Sequence, residues 1–556
     1  MEQCLQTKKS NCKNCYKCIR NCPVKSLRMT DGQAHIIREE CILCGDCYVV
    51  CPQAAKQIRN DVAAARELIS SGAPVYLSVA PAYAARYPEH SFDDLAAAAA
   101  VLGFAGAAQT AEGATVIKRE YERLMGEGEQ SVIISTCCHS VNTLVEKHFQ
   151  EALPYLANAT SPMLMHAKLL KQAHPEGRVV FVGPCISKKE EAEKYEGAVD
   201  VVLTFDEWEQ WMAEAGVTLP KTETPSPKYR ANFFPTSGGI LRSMDLNPEY
   251  RYLVVDGAED CIRALREICR GELSHCFVEM SICKGSCVNG PVMRKEETSP
   301  VQSGLAVTAE IGGGDYPVAQ PEKNELVKRF SFSGVTHVTP GSKAIEEILR
   351  KMGKTSPEKE LNCGCCGYNT CREKAEAVLL GKAELTMCLP YFKEKAESFS
   401  DTIIQNTPNG IIVLDEQLQI QQINSAAKQI LNLQRLNPIG EPVTRVLDPV
   451  DYVLVLDSGK NVYDSKKYLA EYQKYVEETI IYDKEYHILM ILMKDITREE
   501  HERDNKEEKS RAAIEITDKV VEKQMRVVQE IASLLGETTA ETKIALTKLK
   551  ETLADE

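Results

Sequence analysis

The sequence predicts a multidomain chain of mixed α/β class, and three observations predict it. Cysteines crowd two tandem runs near the start. Short β-branched runs then alternate with helical stretches from residue 72 to about 300. After Cys388 the 556-residue chain has no cysteine and reads as paired strands followed by helices. Domain sizes near 100–200 residues make this roughly three to five units. Hydrophobic residues at 44% and charged residues at 26% are ordinary for globular domains with ample core. A net charge of −14, with no run of five basic residues, argues against a nucleic-acid partner. The polar start lacks the apolar middle of a signal peptide. "LAAAAAVLGFAGAA" (95–108) is too short to span a bilayer. The expectation is a cytoplasmic protein without a membrane partner, and there 22 cysteines imply metal ligation rather than disulfides.

Residues 1–60 carry "CKNCYKCIRNCP" and "CILCGDCYVVCP". Each is C-x2-C-x2-C-x3-C-P, the two-cluster ferredoxin run in which the fourth cysteine serves the other cluster. One [4Fe–4S] cube should take Cys12, Cys15, Cys18 and Cys51, and its partner Cys41, Cys44, Cys47 and Cys22. A zinc site would need only four ligands and not this doubled arithmetic.

Residues 72–355 alternate "VYLSVA", "SVIIST", "RVVFVG", "VDVVLTF" and "YLVVDG" with helical stretches such as 92–108 and 189–195. That pattern predicts an α/β domain with mainly parallel strands, whose functional residues lie beyond the carboxyl ends of strands. Three cysteine motifs fall there: "STCCHS", "GPCISKKEE" and "EMSICKGSCVNG". Cys138, Cys185, Cys283 and Cys287 can converge on a third cube. Cys261, Cys269 and Cys276 read as core thiols, and Cys4 has no partner pattern.

With "SVAPAYAARY" (78–87) and "FFPTSGGILRSM" (233–244), these motifs resemble the catalytic domain of [FeFe] hydrogenases, which has two lobes. The resemblance covers roughly residues 1–300. It implies that Cys138, Cys185, Cys283 and Cys287 hold a cube, with Cys287 bridging to a diiron unit bearing CO, cyanide and a dithiolate bridge. It implies that Lys188 hydrogen-bonds a cyanide ligand, where a charged donor suits an anionic acceptor. It also implies that Cys137 is the free thiol carrying a proton beside the diiron unit, a task its tunable pKa permits. The resemblance is imperfect. His139, Gly183, Ser281 and Met163 stand where fast members of the family carry Pro, Met, Met and Gln. Such neighbouring changes retune potential and access. His139 reads as filler of the turn.

Further on, 356–394 holds "LNCGCCGYNTCREKAEAVLLGKAELTMCLPYF". Cys363, Cys366, Cys371 and Cys388 resemble a small four-cysteine [4Fe–4S] domain, with Cys365 surplus. The stretch before it reads as a loop at "GGGDYP" and a helix at "PEKNELVKRF". Residues 398–500 look like an α+β PAS domain, a sensor module. Having no cysteine and only His487, it offers no covalent flavin site and little for haem, so a small ligand or a dimer contact is expected. In residues 501–556, Ile514, Val521, Val528 and Leu535 recur every seven residues as a coiled-coil seam. Gly536 breaks it, and Thr538 with Glu541 forms a capping box for a second helix whose apolar face is Ile544, Leu549 and Leu553.

The expected function is interconversion of H2 with protons and electrons, slowly, in a sensor that signals through the PAS domain and terminal helices. Four [4Fe–4S] clusters and the diiron unit are the expected cofactors. Expected partners are an electron carrier such as ferredoxin, a second copy in a homodimer, and a downstream kinase or phosphatase. The alternatives are a ferredoxin-linked catalytic hydrogenase with a regulatory tail, and a hydrogenase-like iron–sulfur assembly or structural protein that never holds diiron.

Overall fold

The structure, a computed structural model, describes residues 3–8, 11–221, 227–295, 299–334, 340–434, 436–535 and 540–554. It divides into two compact units, Met1–Tyr391 and Phe392–Glu556.

In the first unit, the opening segment is built from two antiparallel pairs, Leu5–Thr7 with Lys56–Ile58 and Leu27–Thr30 with Gln33–Ile36. Asp31 and Gly32, both at positive φ, make the tight turn of the second pair. Two one-turn helices, Lys17–Arg20 and Asp46–Val49, each follow a left-handed residue, Tyr16 and Gly45. The two cysteine runs are therefore folded alike.

The next segment forms two parallel sheets. One has the order Gly106–Gln109, Val75–Val79, Arg178–Gly183, Val201–Thr204. The other has the order Arg251–Asp256, Cys276–Ser281, Val132–Ile134. The central strands are buried along nearly their whole length, as parallel strands covered on both faces must be. These sheets are the two lobes. Each has its own apolar core, one around Val75, Leu77 and Trp208, the other around Ile134, Val278 and Leu265.

The helical reading of 92–108 is corrected at its end. The helix Phe92–Val101 starts on the Ser91–Asp94 capping box and stops before Gly103, whose φ is +97°. Residues 106–109 then pair with Tyr76–Val79 as an edge strand. The Tyr76 ring lies 3.2 Å from where a Cβ of Gly106 would be, so close packing rather than propensity places "GAAQ" in the sheet. "PEKNELVKRF" is also mostly extended, with one helical turn at Lys323–Leu326.

The second unit contains a five-stranded antiparallel sheet in the order Ile420–Ile423, Gly410–Asp415, Ile488–Asp495, Lys474–Asp483, Val462–Leu469. Its core gathers Ile412, Leu414, Tyr452 and Ile491. Helix Thr497–Leu535 follows, and Ala540–Ala554 folds back along it, with Lys550 3.4 Å from Asp518. The heptad seam is thus answered inside one chain, where Val521 and Val528 are half-buried and Ile514 is exposed. Leu549 and Leu553 are exposed. Gly536 and Thr538 lie outside the described residues, as do the side chains of Leu535, Glu541 and Ile544. No helix among the described residues is long and apolar enough to cross a membrane.

Candidate metal centre

Strand ends of both lobes supply the site. Val132–Ile134 leads into Cys137 and Cys138, and Cys276–Ser281 leads into Cys283 and Cys287. From the other sheet, Arg178–Gly183 leads into Cys185 and Lys188. Parallel sheets gather functional groups at this edge because successive loops emerge there together.

The four thiols crowd one another. Burial pushes the Cys283 thiol well above its ordinary value, and the neighbouring Cys185, Cys138 and Cys287 push it further while Arg294 pulls it down. Burial raises Cys287 as well, again with Cys185 and Cys138 beside it. Four thiols facing each other, three of them half-buried and Cys287 exposed, suit a bound cation that replaces their protons. Among the described residues no three Cys, His, Asp or Glu side chains converge as they would around one ion.

The adjacent cysteines turn to different surroundings. Cys138 is the N-cap of helix His139–His148 and, like Cys283, packs against the apolar core that contains Ile282 and Cys44. Cys137 instead lines an apolar cavity of about 90 Å3 together with Cys185, Lys188, Cys287, Met163 and Phe181. Its Sγ lies 3.2 Å from Tyr121 Oη, and burial pushes its thiol up to about 12. Lys188 donates to the carbonyl of Cys137 at 3.0 Å and pairs with the buried Glu191. Burial alone would raise the Glu191 carboxyl, but the Lys188 and Lys328 ammonium groups hold it well below the usual range. Lys188 itself stays a cation, since burial lowers its pKa but Glu191 more than restores it.

Two features escaped the sequence reading. Glu279, on the strand leading to Cys283, is buried and accepts the N–H of Leu241 at 3.0 Å. Burial raises its carboxyl to about 7, against the pull of backbone N–H groups from Gly238 to Leu241, and its charge is felt at Cys137. The motif "TSGGIL" is therefore the backbone cradle of a carboxylate. A lone Glu inside "CFVEMS" was the available signal. The second feature is Phe181. A Cβ on Gly183 would come within 2.8 Å of the Phe181 ring, so phenylalanine occupies the space of the absent side chain. Ser281 bonds Ser286 at 3.1 Å. His139 is buried, 3.3 Å from Glu190, and burial lowers its pKa.

The second ferredoxin run abuts this site. A Cβ on Gly45 would lie 2.5 Å from Pro291 Cγ and 3.0 Å from Ile186 Cδ1, beside Cys287 and Cys185. The charge of Cys22 is felt at Cys41, Cys44 and Cys47, and those of Cys12 and Cys15 at Cys18. Cys51 accepts the N–H of Ala55 at 3.3 Å.

Cys363, Cys366, Cys371 and Cys388 line one small cavity with Lys374, and exposed Cys365 is outside it. Burial lowers the Lys374 ammonium to about 8, and it donates to the carbonyl of Glu384. This element seats on the first ferredoxin helix. Gly367 approaches Ile19 closely, Arg20 reaches the carbonyl of Cys365 at 3.3 Å, and Lys25 reaches that of Gly367 at 3.1 Å. Cys261 and Cys276 are core residues, Cys269 packs at the edge of the same core, and buried Cys4 lies near Glu193.

Family models match the chain in this order: 4Fe-4S dicluster domain at residues 4–66, iron only hydrogenase large subunit, C-terminal domain at 73–291, an Fe-S cluster family at 360–390, and PAS fold at 398–467. One subunit of an ion-translocating oxidoreductase complex from Methanosarcina acetivorans is 42% identical over 48 residues, 9% of this chain and 18% of that protein. A "probable cytosolic Fe-S cluster assembly factor" from Aedes aegypti is 24% identical over 274 residues, 38% of this chain and 57% of its own. The chain thus spans less than two thirds of either relative. Among solved structures, [FeFe]-hydrogenase HydA1 from Chlamydomonas reinhardtii is 17% identical, covers 50% of this chain and all of its own, and has a TM-score of 0.39. The PAS domain of nitrogen regulation protein NR(II) from Vibrio parahaemolyticus is 21% identical, covers 17% of this chain and 97% of its own, and has a TM-score of 0.15.

Proposed function

Residues 73–291 carry the iron only hydrogenase large-subunit domain, and from that premise we propose a hydrogen-responsive [FeFe] hydrogenase that works slowly and reports through its second unit. The observation that carries the reading is the cavity where Cys137, Lys188 and Cys287 meet. A cube alone needs neither a free thiol nor an ammonium, which weighs against a purely assembly or structural role. Four cubes and one diiron group fit the donor sets: Cys12, Cys15, Cys18 and Cys51; Cys22, Cys41, Cys44 and Cys47; Cys138, Cys185, Cys283 and Cys287; Cys363, Cys366, Cys371 and Cys388.

When bound, the diiron group with its CO, cyanide and dithiolate supplies the heterolytic chemistry of hydrogen. The chain supplies the rest. Lys188 is a fixed ammonium for an anionic ligand. The proposed roles are that Cys137 holds the proton at Sγ and that Glu279, poised near neutrality and with its charge felt at that thiol, exchanges it. Phe181, Phe234 and Met163 keep water out of the cavity. The cytoplasm, with no nucleic acid or membrane partner, is the proposed location, and a ferredoxin-type carrier the electron partner.

The sensory part rests on the PAS fold at 398–467. Hydrogen shifts the population of cluster states, and those states must favour one of two arrangements of the second unit. Infrared spectroscopy of matured protein should show iron-bound CO and cyanide bands, and hydrogen should change amide exchange in residues 398–556. Absence of the bands sinks the hydrogenase reading; bands with an indifferent second unit leave a plain hydrogenase.

A homodimer is part of the proposal, with a kinase or phosphatase as the recipient of the signal. Ile516, Val520, Val527 and Ile531 stand exposed along one face of Thr497–Leu535, apart from the face that its own second helix covers. Two such hairpins placed face to face would make a four-helix bundle. Sedimentation should show a dimer that a cut after residue 395 converts to monomer. A truncated chain that stays dimeric refutes this interface.

A further inference from the structure

Between Cys283 and Cys44 lies a charge that no reading of the motifs used. Arg294 sits on the short helix Pro291–Lys295, just past Cys287. Its Nη1 pairs with Asp46 Oδ1 at 2.8 Å, which ties this helix to Asp46–Val49 of the second ferredoxin run. The close approach of Gly45 to Pro291 fixes the same two segments together. Arg294 Nε and Nη2 are enclosed, and among the described residues no acceptor reaches either one. Enclosed guanidinium donors without partners are costly, and oxygens of the described residues do not meet that need. The guanidinium also borders a cleft of about 580 Å3 that reaches Cys22, Asp46 and Ile282. Cys283 and Cys44 are the thiols whose charges act on it, together with Asp46.

We propose that Arg294 is the electrostatic link between the cube of Cys138, Cys185, Cys283 and Cys287 and the cube of Cys22, Cys41, Cys44 and Cys47, with Nε and Nη2 donating to cluster sulfur. This rests on the cluster assignments proposed above. Sulfur of an iron–sulfur cluster is anionic, and hydrogen bonds to it set reduction potential. In the transfer, one electron leaves the first cube and one is gained by the second. The first is oxidised as the second is reduced, and no proton moves. A fixed cation stabilises the reduced, more negative state of both cubes, so it raises both potentials. Asp46 works against it on the ferredoxin side. Arg294 is a positioning residue and touches no substrate.

The test is a redox titration followed by electron paramagnetic resonance, on full-length chain reconstituted with its cubes and without diiron. Arg294→Gln should lower the potential of both flanking cubes by about tenfold in reduction equilibrium, roughly 59 mV for one electron. The cubes of Cys12 and Cys363 serve as internal controls and should not move. Arg294→Lys should recover part of the shift, since it keeps the charge without the fork. Asp46→Asn should move the Cys44 cube the opposite way while leaving Arg294 in place. Unchanged potentials in Arg294→Gln and Asp46→Asn, or equal shifts in all four cubes, overturn the proposal and leave the cluster assignment standing. Wild-type chain that takes no cube at these cysteines overturns both.

Discussion

Replacing Cys138 by Ala should abolish hydrogen turnover and remove the iron of the cube with that of the diiron group bridged to it, whereas replacing Cys137 by Ala should abolish most turnover and remove no iron. The difference follows from where the two side chains point. Cys138 and Cys283 belong to the proposed ligand group, and losing one of its four thiolates leaves too few ligands to hold the cube. Cys137 lines the cavity that Lys188 also lines and contacts Tyr121, and the role proposed for its thiol is to carry a proton rather than bind metal. Losing a proton carrier costs about 100- to 10,000-fold in rate. Glu279→Gln belongs to the same test, because its carboxyl is raised to about 7. On the proposed role, hydrogen oxidation needs the carboxylate as acceptor and should rise as pH passes upward through 7, and evolution needs the acid and should fall over the same range. The Gln variant should lose both rate and this pH dependence. Iron analysis and pH–rate profiles decide the matter: equal iron loss in both cysteine variants, or an unaltered profile in Glu279→Gln, refutes the assigned roles.

Gly239→Val should cripple the site without touching a ligand. A Cβ there would collide with the carbonyl oxygen of Phe233 and come within 2.6 Å of its carbon and 2.8 Å of Thr236 Oγ1. Backbone cannot give way as a flexible side chain would, so overpacking costs about 1–3 kcal/mol. The same turn supplies N–H groups to Glu279, and displacing them removes hydrogen bonds that offset the burial of the carboxylate. Lower melting temperature together with loss of the neutral-range pH dependence is the expected result. A variant that melts and titrates like the parent shows that the turn has room to spare.

What the sequence disclosed was whatever leaves a local signature. The doubled cysteine runs, the β-branched strands "VYLSV" and "RVVFVG", and the paired strands at 474–495 all read correctly, because spacing and period are local properties. The edge strand "GAAQ" left no such mark. Alanine favours helix, and only the Tyr76 ring beside Gly106 explains why it pairs there. Val462–Leu469 was invisible for a related reason, since its sequence is polar on both faces at the sheet edge. The seam at Val521 and Val528 was visible as a pattern, but a pattern does not say which helix answers it. Ala540–Ala554, in the same chain, does so. Glu279 and Arg294 were hidden most completely, because their meaning depends on neighbours 38 and 248 residues away, Leu241 and Asp46.

The ring of Phe181 in the space of position 183 makes those two positions epistatic. Methionine introduced at 183 alone meets an aromatic ring already in place, while a smaller residue at 181 alone opens a void against Ala80. Each single step is a loss, and only the pair conserves volume, so their effects cannot add. The pair of Phe181 and Gly183 is thus held by a packing ratchet, and a chain rebuilt one residue at a time toward methionine at 183 would stall at this wall.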